Sequence, residues 1–314
     1  MDTPRCRPPS RWRRLRRRLG LLALGALLAP ASRAELLLDA APTADGAWVT
    51  VGARGTVRRS ADGGMTWQSI TAVPYTTYTA VAFAPQSPDR GWAAGHGGII
   101  LGTTDAGRTW SIAYRAEETD TSFLDVLALS ADHVLAVGAF GLCLESTDAG
   151  ATWTPRVLLD EDMHLNRLSQ AGDGTLYLAG EAGTLLRSTD RGLSWSSIAT
   201  DYEGSFYGVL PLEGAVVLAY GQRGTVFRSI DRGDNWTAIP TDSTALLQTG
   251  LRLPDGTILL AGQARTLLIS RDEGLTFTAA PAPPAAAIAE LSATANPPRV
   301  LAFGEADVVL LPPP

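Results

Sequence analysis

One eight-residue phrase recurs six times at near-constant spacing, and it limits what this 314-residue chain can fold into more than any other feature. It first reads Ser60-Ala61-Asp62-Gly63-Gly64-Met65-Thr66-Trp67, then returns at Thr103–Trp110, Ser146–Trp153, Ser188–Trp195, Ser229–Trp236 and Ser270–Phe277. The shared pattern is Ser/Thr-x-Asp-x-Gly-x-x-Trp/Phe, with Ile230 and Asn235 as typical variation between the fixed points. Its aspartates, Asp62, Asp105, Asp148, Asp190, Asp231 and Asp272, lie 43, 43, 42, 41 and 41 residues apart. Gly52, Gly95, Gly138, Gly180, Gly221 and Gly262 each precede one of them by ten residues, and Gly304 follows after a further 42. Self-similarity at such a period marks units that bury their faces only by stacking on one another.

Each unit reads as four short strands. In unit two, Tyr78–Phe83 alternates like a half-buried strand, and Gly91–Gly95 runs into the glycine turn Gly95-His96-Gly97-Gly98. Ile99–Thr103 is a third strand, the aspartate phrase turns the chain, and Thr109–Ile112 is a fourth. Four antiparallel strands per 40–45 residues predict an all-β, seven-bladed propeller of four-stranded antiparallel blades over residues 35–314. The last blade is truncated, because unit seven stops at Pro314 before any aspartate phrase. It is expected to lack its outer strand, or to borrow one from residues just after position 34.

The phrase has a structural reading. The aspartate accepts hydrogen bonds from backbone N–H groups of its own turn, and the glycine supplies a positive φ. Trp67, Trp110, Trp153, Trp195, Trp236 and Phe277 then start the next strand with a large ring to bury between neighbouring sheets. Catalysis gives no reason for one such aspartate per blade.

These turns resemble the bacterial neuraminidase repeat, or Asp box. A longer phrase is more specific: Gly91-Trp92-Ala93-Ala94-Gly95-His96-Gly97-Gly98-Ile99-Ile100 followed by Thr103–Trp110, with echoes at Gly180–Asp190 and Gly221–Ser229. It resembles the repeat of the photosystem II assembly and stability factors, across residues 35–314. That resemblance implies a lumenal seven-bladed propeller that chaperones membrane-protein assembly intermediates and is not an enzyme. Unit six departs from the pattern, with Ala264-Arg265 in place of the second turn glycine and Phe277 in place of Trp.

Charge separates the chain into two parts. Residues 1–34 hold nine arginines and one acid, Asp2; residues 35–314 hold 17 arginines and 31 acids, a net charge of −14, and there is no lysine. An acidic body is a poor match for nucleic acid or for an anionic membrane surface. The basic run Arg11–Arg18, the apolar stretch Leu19–Ala29 and Ser32-Arg33-Ala34 read as a signal peptide over residues 1–34. Its apolar stretch falls short of the ~20 residues of a spanning helix. The expectation is an exported, soluble, monomeric body in the periplasm, or in the thylakoid lumen of a photosynthetic organism. Once Cys6 leaves with the leader, Cys143 is a lone cysteine in an apolar strand, read as a small buried hydrophobe.

The rival class is a glycosidase or carbohydrate-binding propeller, since Asp boxes also occur in sialidases. Its carboxylates would come from Asp120, Asp125, Glu161, Asp162 or Glu203, but the arginine motif expected near a sialidase's first blade is missing from Glu35–Ala40. A third reading is an accessory subunit of an envelope transporter. His96, His133 and His164 lie in separate units without metal-ligand spacing, so neither a metal nor a cofactor is expected. The expected working surface is the face that gathers the turns between second and third strands and the connections between blades. Arg54, Arg223 and Arg265, together with Tyr202 and Tyr207, are the residues there suited to a protein partner. Phe123, Phe206 and Tyr78 read equally well as core.

Overall fold

The computed structural model describes residues 34–281, 284–295 and 298–312. The leader expected at the N-terminus lies outside them, apart from Ala34. Blade one holds β1 (Leu37–Pro42), β2 (Trp48–Gly52), β3 (Val57–Ser60) and β4 (Gln68–Ser69). Blade two holds β5 (Tyr78–Ala84), β6 (Ser87–Gly95), β7 (Ile99–Thr103) and β8 (Ser111–Arg115). Blade three follows with β9 (Phe123–Ala128), β10 (Val134–Gly138), β11 (Cys143–Ser146) and β12 (Thr154–Pro155). Blade four has β13 (Leu165–Gln170), β14 (Leu176–Gly180), β15 (Leu185–Ser188) and β16 (Ser196–Ser197). Blade five has β17 (Phe206–Pro211), β18 (Val217–Gly221), β19 (Val226–Ser229) and β20 (Thr237–Ala238). Blade six has β21 (Leu247–Arg252), β22 (Ile258–Gly262), β23 (Leu267–Ser270) and β24 (Thr278–Ala279). Among the described residues, blade seven has only β25 (Ile288–Ala295), β26 (Pro298–Gly304) and β27 (Asp307–Leu311). Within each sheet, strand order follows chain order and every pairing is antiparallel. This is the expected seven-bladed propeller with a short last blade.

The first strand of each blade lies innermost and packs on those of its neighbours, with β25 against β1 closing the ring. Every inner strand carries a bulge at its second residue. Leu37 pairs with Gly52 and Asp39 with Val51, so Leu38 is skipped, and the other six blades repeat this. Bulges redirect the side chain they release. Here they turn Leu38, Thr79, Leu124, Asn166, Tyr207, Gln248 and Ala289 into a cavity on the axis.

The recurrent glycine answers to this bulge. The residue after it donates its N–H to the carbonyl just before the inner strand: Ala53 to Leu36 at 2.9 Å, Ala139 to Ser122 at 3.0 Å, Glu305 to Ala287 at 3.2 Å. That bond draws the carbonyl over the glycine. A Cβ on Gly180 would meet the His164 oxygen at 2.6 Å, and the other six glycines leave still less room. Gly52 and Gly221 have φ of −176°, so space rather than backbone freedom demands glycine.

The core is seven apolar layers, one between each pair of adjacent blades. Tyr78, Phe123 and Phe206 are fully buried in them, which settles the choice between core and surface. Cys143 is buried too, and burial pushes its thiol up to about 12. Among the described residues, the last layer closes the ring without a borrowed strand. Residues 34–36 carry no strand, and Leu37 already begins the inner strand of blade one. Closure instead uses Leu37, Trp48, Leu301 and Phe303, an edge-to-face contact of Trp67 with Phe303 at 5.8 Å, and Arg58 held by Asp307 at 2.7 Å and Glu35 at 2.8 Å.

Candidate functional site

The Asp boxes form closed local networks. Asp148 Oδ1 accepts from the Ser146 hydroxyl at 2.9 Å and the Thr152 N–H at 2.8 Å; Oδ2 accepts from the Thr152 hydroxyl at 2.6 Å. Asp62, Asp105, Asp190, Asp231 and Asp272 are held in the same way. Hydrogen bonds from the side chain and N–H four residues on lower Asp190 and Asp231 to about 2. The box glycines have φ between 77° and 95°, as in Gly107 and Gly233. The indole N–H of Trp67, Trp110, Trp153, Trp195 and Trp236 donates to the carbonyl of its own box glycine, and each ring lies against the preceding blade. Phe277 packs there as well, without that bond.

The opposite end of each blade carries the turn between second and third strands. In blade one it runs Ala53-Arg54-Gly55-Thr56, closed by Thr56 N–H to Ala53 O at 3.1 Å, with Arg54 and Gly55 both left-handed. That is the hairpin turn whose twist matches the strands it joins. The turn glycine then docks the next inter-blade connection. Gly98 donates to Thr121 O at 2.8 Å, Gly141 to Met163 O at 2.7 Å, Gly183 to Gly204 O at 2.7 Å and Gly224 to Ala245 O at 2.6 Å. Turns and connections therefore form one loop face.

Arg54 and Arg223 hold equivalent places on it, with φ of 56° and 57°. Arg265 stands one residue later, in the glycine position of blade six, with φ of 60°. Its Nε donates to Pro284 O at 2.7 Å, so a side chain replaces the docking N–H that blades one to five draw from glycine. All three side chains are exposed, and none has a carboxylate partner among the described residues. Blade seven, between Arg265 and Arg54 in the ring, has a turn one residue shorter and adds no arginine. The connections after blades two, three and four are of opposite sign. Glu117, Glu118, Asp120, Asp160, Glu161, Asp162, Asp201 and Glu203 are all exposed there. The arginines of the loop face thus stand over blades five, six and one, with exposed Asp242 and Glu305 among them, and the connections after blades two, three and four are acidic. Phe140, 70% exposed, stacks edge-on to His164 at 4.8 Å, and Tyr75, 75% exposed, lies beside Gly55.

Tyr202 and Tyr207 are placed differently from these arginines. Tyr202 is half-buried, packed on Phe206 at 4.9 Å and Phe227 at 5.8 Å, with its hydroxyl donating to Gln222 O at 3.2 Å. Tyr207 faces the axial cavity, whose volume is about 150 Å³. Beneath it lies a charged cluster. Asp39, Asp125, Arg167 and Glu290 occupy the same position in the inner strands of blades one, three, four and seven. Arg167 pairs with Glu290 at 2.6 Å and lies 3.7 Å from Asp39. Asp39 also accepts the Val81 N–H at 2.7 Å, and Asp125 the Leu168 N–H at 2.7 Å, each tying one blade to the next. Burial, then the neighbouring Glu290, holds the Asp39 carboxyl well above the usual range, and burial pushes Asp125 up to about 6.

Of the carboxylates weighed for glycoside chemistry, the fold brings only Asp125 to the axis; Asp120, Glu161, Asp162 and Glu203 lie on connections. Asp39, Arg167 and Glu290 were not singled out from sequence, although aligning the units would have shown charge in an otherwise small or apolar column. Among the described residues, no three or more His, Cys, Asp and Glu are grouped to hold a metal ion.

The family model for photosynthesis system II assembly factor YCF48 matches residues 31–117 and 113–259. This chain belongs to that family. Two solved YCF48 structures share its fold. One is described as YCF48 bound to a D1 peptide, at 21% identity over 89% of this chain and 93% of that one, with a TM-score of 0.72. The other is YCF48 from Cyanidioschyzon merolae, at 17% identity over 90% and 96%, also with a TM-score of 0.72. An ancestral GH74 enzyme has the same fold at 15% identity and a TM-score of 0.72, over 89% of this chain but 45% of its own. No match was found among curated proteins.

Proposed function

We propose that this YCF48-family chain is a non-catalytic, exported scaffold that binds a protein partner, a membrane-protein assembly intermediate, from the periplasmic or lumenal side. The observation that carries this reading is the set of three exposed arginines on the loop face, Arg54, Arg223 and Arg265, none with a carboxylate partner among the described residues. A guanidinium grips a carboxylate through two parallel hydrogen bonds, which suits a partner's acidic loop or C-terminus. The solved relative with a D1 peptide supports a peptide ligand for this family's fold. The acidic sector alongside sets the orientation by repelling acidic segments and admitting basic ones. On this reading the axial carboxylates brace the ring, because each is engaged by Arg167 or by the next blade's backbone.

The test pairs affinity capture from solubilised membranes with a panel of fluorogenic glycosides. The wild type turns over no glycoside and captures a membrane protein that the triple variant Arg54→Ala, Arg223→Ala, Arg265→Ala loses although it remains folded, with a melting temperature no lower than that of Arg265→Ala alone, which gives up the bond to Pro284 O. Capture retained by the triple variant removes the arginines from the account. Hydrolysis abolished by Asp125→Asn replaces the scaffold with a glycosidase.

A further inference from the structure

Blades one to six each place their fourth strand and its aromatic ring in the crevice between that blade and the one before it. In blade six, Phe277 belongs to the apolar cluster that holds Leu218 and Val226 of blade five and its own Leu268. The strand that follows pairs Thr278 with Ile269 and Ala279 with Leu268. Ala280 N–H then donates to Leu267 O at 2.8 Å. Among the described residues, blade seven has the platform but not the occupant. Strand register equates Leu268 and Ile269 with Val309 and Leu310, and Leu218 and Val226 of the preceding blade with Leu259 and Leu267. Among the described residues no strand pairs with the outer edge of β27. The crevice beside it is open, about 430 Å³, and mainly apolar, with Leu259, Leu267 and Val309 in its lining. Leu310 is 44% exposed on that edge.

We infer that this crevice is a second protein-binding site, which takes an extended segment of a partner as the missing fourth strand. The molecule's own symmetry specifies the segment: a Trp or Phe ring in the crevice, then two residues paired antiparallel to Val309 and Leu310. An added strand draws affinity from main-chain hydrogen bonds and specificity from the side-chain pocket. Charge further defines the occupant. Arg271 lines the same crevice and is exposed; Asp255 is near enough to feel its charge, but no carboxylate among the described residues lies in ion-pair range. The partner segment therefore carries an acidic residue close to its ring. The crevice adjoins the arginine sector at Pro284, whose carbonyl Arg265 holds, but none of the three arginines lines it, and it stands whether or not that sector binds.

The probe is a fluorescent synthetic peptide of the chain's own residues 229–240, which contains Trp236, Asp231 and Asp234. Anisotropy should show saturable binding to the full chain. Trp236→Ala in the peptide should weaken it about tenfold or more. Leu310→Pro in the protein removes the outward N–H while respecting the tolerance of edge strands for proline, and should abolish binding at unchanged melting temperature. Arg271→Ala should weaken binding severalfold. No saturable binding, or binding indifferent to both Trp236→Ala and Leu310→Pro, overturns the site. All seven sheets lie within residues 34–312, so a chain starting at Ala34 is a fair comparison. If that chain binds the peptide and the full chain does not, the preceding residues of this chain fill the crevice and the partner is overturned as occupant. Sedimentation showing a dimer that Leu310→Pro dissolves gives the edge to a second copy, with the same consequence.

Discussion

Gly138→Ala tests whether the recurrent glycine is demanded by the axial bulge. A Cβ at this position would lie 2.9 Å from Phe123 Cα and nearer still to the Ser122 carbonyl oxygen. Both atoms are backbone, so no rotamer change relieves the clash. The carbonyl must move, and it is the acceptor of the 3.0 Å bond from Ala139 N–H. Losing that bond costs about 1 kcal/mol, and overpacking costs roughly 1–3 kcal/mol more. The sum, about 2–4 kcal/mol, corresponds to a fall in melting temperature of roughly 5–10 °C for a chain of this size. Gly172→Ala is the control: a Cβ there meets nothing within 4 Å. It should be neutral or slightly stabilising, because alanine restricts the unfolded chain. Urea unfolding followed by circular dichroism measures both. A Gly138→Ala protein within about 0.5 kcal/mol of wild type would refute the steric account, since that is the range of an ordinary surface change.

Three further perturbations probe other parts of the ring. Asp148→Ala strips the blade-three box of its acceptor and should lower the melting temperature while leaving partner capture by the folded fraction unchanged; capture lost at full stability would move the box from structure to function. Asp125 titrates at 3.8 unfolded and is pushed up to about 6 by burial, so its contribution is most favourable below pH 4 and declines by on the order of 3 kcal/mol as pH rises to 6. Asp125→Asn should flatten that window in a series of urea midpoints. Asp190 and Asp231, lowered to about 2, act in the opposite sense: their stabilisation is present above pH 4 and is lost as pH falls toward 2. Arg58→Ala leaves Asp307 and Glu35 unpaired where the ring closes and should cost about 1–2 kcal/mol, with blades one and seven first to lose amide protection in hydrogen exchange.

The sequence exposes those features that each blade must solve again. The Asp box and the glycine recur because every blade needs the same turn and the same room beside a bulge, so blade number, strand count and the truncated end were legible from Asp62–Asp272 and Gly52–Gly304. Features that arise once were harder to see. Asp39, Arg167 and Glu290 lie up to 251 positions apart and read singly as solvated charges. Only closure of the ring brings them together, and only alignment by bulge shows that they share a column. Arg265 looks like a turn residue equivalent to Arg54, yet it stands one place later and does the docking task of a glycine. Tyr202 resembles an exposed anchor, but Phe206 and Phe227 take up its ring. The exposure of a loop residue depends on which neighbour the next blade supplies, and one unit's sequence does not contain that.

The account turns on which end of the propeller meets the partner. A photo-crosslinking residue placed at Phe140 or Gln222 on the loop face, or at Leu193 or Ile230 on the Asp-box turns, reads this directly, since all four side chains are exposed. The account predicts that Phe140 and Gln222 cross-link to a membrane protein in the envelope and that Leu193 and Ile230 do not. Cross-links formed from Leu193 or Ile230 alone would contradict it.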